Sequence, residues 1–194
     1  MASSIATPAP TKSDTGALRR LYFLRFGFAT VWAALVFASA HSLSPLSATL
    51  LVIYPLFDVA CAVIDIRSAR ATHGPVRGLY ANITFSTLTA AGLVAAAASG
   101  IPAVLRVWGA WAITAGVVQL IVGALRRRRG MPGQWPMILS GAISTLAGAS
   151  FIAQAGKADA SLGALAGYAF LGGVFFLVSA LRLGRADRTD RIAA

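Results

Sequence analysis

Charged residues are scarce in this sequence. Asp, Glu, Lys and Arg make up 12% of the 194 residues, while apolar residues make up 57%, and the mean hydropathy is +0.73. A soluble domain of this length carries roughly 25% charged residues to cover its surface. The shortage of charge excludes an ordinary water-soluble domain and predicts an integral membrane protein.

Side chains that build metal sites and catalytic centres are also few. The sequence has one cysteine, Cys61, and two histidines, which excludes an internal disulfide and leaves no ligand set for zinc or haem. HExxH, GxSxG, CxxC and phosphate-binding glycine loops are absent from the sequence. We therefore predict a protein that is not an enzyme and that holds neither a metal nor a cofactor.

Acidic residues are outnumbered by basic ones, 6 against 17, which gives a formal charge of +11. In a soluble chain this balance would suggest nucleic acid as a partner. Here the basic residues stand between long apolar runs, where they indicate membrane topology instead. Nucleic acid is therefore not expected as a partner.

Six apolar segments make up most of the chain, and each is close to the ~20 residues that a helix needs to cross the hydrocarbon core of a bilayer. They cover residues 21–41, 46–66, 79–99, 102–125, 134–154 and 161–182. The sequence thus predicts an all-α membrane protein with six transmembrane helices in one domain, 19–186. A disordered cytoplasmic tail at 1–18 and a basic tail at 187–194 are expected to flank it.

The loops between these segments alternate between nearly uncharged and strongly basic. The second and fourth loops contain IRSARATHGPVRG and RRRRGMPG. All basic residues except Arg25, Arg106 and Lys157 fall on the side of these two loops. Because basic loops stay in the cytoplasm, both termini are predicted to be cytoplasmic.

Aromatic and small residues recur at a spacing of 57 residues. One register holds Tyr54, Trp111 and Tyr168, and three others hold small residues: Gly27, Thr84 and Gly141; Thr30, Thr87 and Ser144; Ala34, Ala91 and Gly148. This recurrence predicts three copies of a helical hairpin, at 21–70, 78–129 and 134–185, related by an axis along the membrane normal. It also argues against cleavage of the first segment as a signal peptide, which the small residues 38–40 would otherwise permit.

Small residues also predict where helices approach each other closely. Gly163 and Gly167 form a GxxxG, and Ser144 and Gly148 form a second pair of small residues at the same spacing. Such pairs let helix backbones pack in lipid, where apolar burial gives no driving force. Packing between the hairpins of one chain is the favoured interpretation, and a homo-oligomer interface is the alternative.

Arg25, Asp58 and Asp65 are ionisable residues inside apolar segments, and all three fall in the cytoplasmic half. A charge at such a depth is costly unless it is paired or hydrated, so these residues are candidates for function. Arg25 is within reach of either carboxylate. Tyr54, Asp58, Cys61 and Asp65 recur at spacings of four, three and four residues and so share one face of the second helix.

Three roles are open for this intramembrane charge site: a structural lock between the first two helices, proton or ion handling, and a site for a lipid headgroup. A structural lock is the simplest of these three roles. Function is favoured by the fact that the polar stripe breaks the predicted repeat, since Ala115 and Gly172 replace Asp58 in the other two copies. Asn82 in the third segment is the further polar residue that demands a partner on another helix.

Arginines gather at the predicted cytoplasmic ends of the helices. They are Arg126, Arg127, Arg128 and Arg129 after the fourth segment and Arg182, Arg185, Arg188 and Arg191 after the sixth. Anionic lipid headgroups are the partners that such a basic collar predicts.

Three stretches share glycines, aromatic residues and terminal arginines at helical spacing: GQWPMILSGAISTLAGASFIAQAG, VWGAWAITAGVVQLIVGALRRRR and LGALAGYAFLGGVFFLVSALRLGR. Over residues 18–185 the chain resembles the HdeD-like family of bacterial six-helix membrane proteins. The resemblance implies a non-enzymatic inner-membrane protein with a role in acid or general stress tolerance, and it supplies no catalytic residues. The alternatives are a small proton- or cation-coupled transporter or channel using Asp58, Asp65 and Arg25, and an assembly partner of another membrane protein.

Overall fold

The computed structural model describes residues 12–71, 76–131 and 133–192, and within them it contains α-helices and no strand. The helices are α1 (Lys12–Ala38), α2 (Pro45–Ala71), α3 (Arg77–Ala97), α4 (Ile101–Arg128), α5 (Trp135–Gln154) and α6 (Gly163–Ile192). All six contain a stretch long and apolar enough to cross a membrane. The prediction of an all-α protein with six transmembrane helices is confirmed.

The first and last helices are longer than the apolar segments that predict them. α1 already begins at Lys12, and α6 continues to Ile192, so parts of both predicted tails are helical. No proline interrupts either extension, and adding a residue to an existing helix costs far less than starting a new one. Residues 1–11 of the predicted disordered tail, and residues 193–194, lie outside the described residues.

The helices form a closed ring in which α1 contacts α6. The most extensive interfaces are α4–α5, α1–α6 and α2–α3, whereas α1–α2 and α5–α6 touch much less. The tightest interfaces therefore join helices of different predicted hairpins. This arrangement leaves the inside of the ring to be filled by side chains.

The α4–α5 interface is the closest approach between helices. A Cβ atom added at Gly116 would lie 2.6 Å from the carbonyl oxygen of Gly141, and one at Gly109 would lie 2.7 Å from that of Gly148. Only glycine allows backbones to come this close. Gly148, one of the predicted packing residues, thus packs between helices of the same chain, as the favoured interpretation requires.

The GxxxG of α6 makes no comparable contact. A Cβ atom at Gly163 would lie 3.8 Å from that of Ala40, an ordinary contact, and one at Gly167 would meet no described atom within 4 Å. α6 approaches α1 at Gly173 instead, where an added Cβ would lie 3.1 Å from Ala29. Six residues turn a helix by about 240°, so Gly173 lies on a different face of α6 from Gly167. A packing role for Gly167 stays a prediction, and the homo-oligomer interface is the alternative that its exposed position leaves open.

Apolar side chains close the half of the ring that lies nearest the uncharged loops. Trp32 and Trp108 are 2% and 0% exposed, and their ring centroids are 5.5 Å apart across the ring. Leu162, just before α6, donates its backbone N–H to the carbonyl of Ala40, just after α1, at 2.8 Å. This end of the bundle is thus a packed core.

Candidate functional site

A cavity of about 490 Å³ occupies the other half of the ring, toward the basic loops. Side chains from all six helices line it. Those with polar or aromatic groups include Tyr22, Tyr54, Asp58, Asn82, Trp111, Gln119, Ser144 and Tyr168. This volume is within the range of about 300–1,000 Å³ that is typical of small-molecule sites.

The cavity lies between helices that include the least extensive interface of the ring, α5–α6. The Phe151 and Tyr168 rings of these two helices lie 5.6 Å apart, and the Tyr168 hydroxyl donates to Ser144 Oγ at 2.9 Å. Small residues keep the space open farther along, since Ala115 and Gly172 line the cavity. Ser144, predicted as a packing residue, is therefore buried beside the cavity wall and bonded to α6.

Arg25, Asp58 and Asp65, the ionisable residues singled out from the sequence, lie together beside this cavity. Arg25 Nη2 donates to Asp65 Oδ2 at 3.1 Å, while Arg25 Nη1 lies 3.8 Å from Asp58 Oδ1. The arginine side chain is 13% exposed and the two aspartates are 22% and 23% exposed. Arg25 thus forms a hydrogen-bonded ion pair with Asp65 and a longer electrostatic contact with Asp58.

Asp58 is held by neutral donors from α3. Asn82 Nδ2 donates to Asp58 Oδ2 at 2.7 Å, and Ser86 Oγ donates to the same oxygen at 2.9 Å. Asn82 therefore has the interhelical partner that its position demands. Ser86 was missed because a serine can satisfy itself on its own helix, although its spacing of four residues from Asn82 places both on one face of α3.

Arg25 also contacts α6. The guanidinium carbon lies 5.0 Å from the centroid of the Phe176 ring, a distance at which a cation and an aromatic face attract each other. Arg25 therefore joins α1 to α2 and α6. The α1–α2 contact, sparse elsewhere, depends on this cluster and on aromatic stacking such as that of Phe28 on Phe57, whose centroids are 3.8 Å apart.

Aromatic rings separate the cavity from the packed core. Tyr54, the fourth member of the predicted charge site, lies 4.7 Å from Trp32, 5.4 Å from Trp108 and 6.3 Å from Trp111 between ring centroids. Trp32 Nε1 also donates to the Leu50 carbonyl of α2, at 2.6 Å. Tyr54 is thus held by rings from α1 and α4.

Gln119 was not singled out from the sequence, yet it lines the cavity. Its Oε1 atom is buried and has no hydrogen-bond partner among the residues that the structure describes. Glutamine in a long apolar helix gives no signal of which face it occupies. Its place in the wall becomes visible only once α4 is set against α5 and α6.

Several basic residues near the ends of the helices lie together at one end of the bundle. A Cβ atom at Gly184 would lie 3.0 Å from Arg19 Cζ, so the end of α6 is beside the start of α1. Arg127 stacks over the Trp135 ring at 4.0 Å, and Arg70 donates to the Tyr80 hydroxyl. The side chains of Arg188 and Arg191 lie outside the described residues, and binding of lipid headgroups by Arg126, Arg127, Arg128 and Arg129 stays a prediction.

Residues 84–153 match the model of a protein family described as a short repeat of unknown function, DUF308. The matched region includes the glycine-rich α4–α5 interface and nine residues of the cavity wall, among them Trp111, Gln119 and Ser144. It does not reach Arg25, Asp58 or Asp65. No curated protein and no solved structure matches the chain. The family match and the six apolar helices together support an integral, multi-pass membrane protein.

Proposed function

We propose that this protein is a non-enzymatic component of a bacterial inner membrane that serves acid or general stress tolerance, and that it acts through the cavity beside Asp58. The resemblance to HdeD-like proteins favours the physiological role. The gathering of arginines at one end of the bundle favours an orientation with that end, and both termini, in the cytoplasm.

The observation that carries this proposal is the position of Asp58. Its carboxylate lines the cavity and accepts hydrogen bonds from Asn82 and Ser86. A charge in the apolar part of a membrane helix costs about 3 kcal/mol or more. A structural lock would need only Arg25 and Asp65, which already form a hydrogen-bonded ion pair at 3.1 Å. Asp58 adds a charge that the lock does not require, which favours a functional role.

Proton binding gives this position a mechanism. When Asp58 takes up a proton, its attraction to Arg25 ends, and Arg25 is left with Asp65 as its single charged partner. Because the α1–α2 interface is one of the two least extensive in the ring, the change acts on one of the weakest contacts in the ring. Acidification would therefore shift the cavity between two arrangements.

A small proton- or cation-coupled transporter or channel is the second candidate. The cavity is at the basic end, while the opposite end is filled by buried residues such as Trp32, Trp108 and Leu162. A cavity that packed side chains close at one end is the form expected of one state in alternating access. Flux through liposomes that contain the purified protein would separate this candidate from a non-transporting acid sensor.

Acid survival tests the proposal. A strain lacking the gene is complemented with the wild type, Asp58→Asn or Arg25→Gln, and with Asp159→Asn as the matched control, because Asp159 is exposed in the α5–α6 connection. The wild type and Asp159→Asn are expected to restore survival, and the other two are not, at equal abundance in the membrane. Failure of the wild type to restore survival would refute the acid-tolerance role.

A further inference from the structure

We propose that the cavity binds a monovalent organic cation, an ammonium group carried on a small apolar body. This inference rests on the proposed function for the location of the site and adds the class of molecule that the site takes.

Charge is the first reason. Arg25 faces both Asp58 and Asp65, so the cluster carries one net negative charge when both carboxylates are ionised. Asp58 Oδ2 is occupied by neutral donors, and Asp58 Oδ1 lies 3.8 Å from Arg25 Nη1, beyond the range of a hydrogen bond. Asp58 thus presents a carboxylate that is incompletely neutralised, and an anion entering the cavity would be repelled.

Hydrogen bonding is the second reason. The buried Oε1 of Gln119 is an acceptor with no donor among the described residues, and it lines the same cavity as Asp58. Leaving such an acceptor unpaired is costly. Arg25 Nε is a buried donor without a described partner, but Arg25 is not part of the cavity wall. The cavity wall therefore favours a ligand that can donate a hydrogen bond, as an ammonium N–H does.

The aromatic wall is the third reason. Tyr22, Tyr54, Trp111, Tyr168 and Phe176 all line the cavity. Aromatic faces attract organic cations and also pack against apolar groups. Across the described ranges, no group of three or more His, Cys, Asp or Glu residues is placed to hold a metal ion. These walls suit an organic cation better than an inorganic one, which needs several oxygen ligands.

Binding to the purified full-length protein in detergent tests the inference. The probe is 2-phenylethylammonium. Propylbenzene has the same shape with a methyl group in place of the ammonium, and phenylacetate carries the opposite charge. Calorimetric titration is expected to show saturable binding of the ammonium probe, at least about tenfold weaker binding of propylbenzene and none of phenylacetate. Equal binding of the ammonium probe and propylbenzene, or no binding of the ammonium probe, would overturn it.

Variants locate the site. Asp58→Asn and Gln119→Leu are each expected to weaken binding of 2-phenylethylammonium by about tenfold, and Ala115→Phe, which fills the cavity, is expected to abolish it. Asp159→Asn, the control outside the cavity, should bind as the wild type does. Because Gln119→Leu and Ala115→Phe change no charge, they keep the test decisive if Asp58→Asn fails to fold. Unchanged affinity in both of them would overturn the inference.

Failure of this inference is distinguishable from failure of the proposed function. If Asp58→Asn loses acid survival but the wild type binds no ammonium probe, the proton-handling role stands and the organic-cation site falls. If the probe binds through Asp58 and Gln119 but the wild type gives no acid protection, the site stands and the acid-tolerance role falls.

Discussion

Arg25 of α1 donates to Asp65 of α2 at 3.1 Å while Asp58, on the same face of α2, stays 3.8 Å away. The two carboxylates are therefore unequal. Asp65 is the ion-pair partner, and Asp58 is a cavity residue held by α3.

Removing Arg25 should destabilise the protein. Arg25→Gln leaves two carboxylates in the membrane region without their cation. The side chains of Arg25, Asp58 and Asp65 are 13%, 22% and 23% exposed. We therefore expect the free energy of unfolding to fall by about 2 kcal/mol, less than the 3–5 kcal/mol seen when a fully buried pair is broken. Thermal unfolding in detergent measures the effect. Exchanging the pair, as Arg25→Asp with Asp65→Arg, should restore part of the lost stability, and an unchanged midpoint in Arg25→Gln would contradict the assignment.

Ser86→Ala should lower stability more than removal of a hydroxyl group elsewhere. Ser86 Oγ donates to the Asp58 carboxylate, and removing a donor from a charged acceptor costs about 1–3 kcal/mol. Thr114→Ala is the matched control, because the Thr114 hydroxyl donates within its own helix, to the Ala110 carbonyl at 2.8 Å. The loss of stability in Thr114→Ala should stay within about 0.5 kcal/mol. Equal losses in chemical denaturation would mean that the Ser86–Asp58 bond contributes nothing special.

Gly116→Leu should prevent correct assembly of α4 and α5. An added Cβ at Gly116 would lie 2.5 Å from Thr145 Oγ1 and 2.6 Å from the Gly141 carbonyl, so the two helices would have to separate. Gly167→Leu is the control, since no described atom would come within 4 Å of its Cβ. Size-exclusion chromatography of the extracted proteins should show a monodisperse peak for Gly167→Leu and aggregation for Gly116→Leu. The reverse result would contradict the interface.

Cysteine labelling checks the orientation in the membrane. The single native cysteine is removed by Cys61→Ser, and Arg128→Cys and Asp159→Cys are made separately in that background. A maleimide that cannot cross membranes should label Asp159→Cys in intact cells and Arg128→Cys only after the cells are opened. Labelling of Arg128→Cys in intact cells would reverse the proposed topology.

The sequence was sufficient for the helices and for singling out Arg25, Asp58 and Asp65, but it left open which carboxylate pairs with Arg25. Helix length and depth follow from local composition, and isolated charges in apolar segments have few ways to be paired. The sequence did not predict that α1 and α6 close the ring. That contact joins the two ends of the chain, and no local sequence pattern encodes it. The exposure of Gly167 was missed for a similar reason, since a GxxxG does not reveal which face of its helix meets a neighbour. The repeat stays a prediction, although Tyr54, Trp111 and Tyr168 of one predicted register all line the cavity.

The central claim is that Asp58 acts in the cavity and is not simply part of a structural lock. Acid survival of the strain that carries Asp58→Asn, measured together with the membrane abundance and the melting temperature of that variant, tests it most directly. We predict that Asp58→Asn reaches wild-type abundance, melts within about 5 °C of the wild type and protects no better than the empty strain. Full protection by Asp58→Asn, or a loss of protection that only follows a loss of folded protein, would contradict the account.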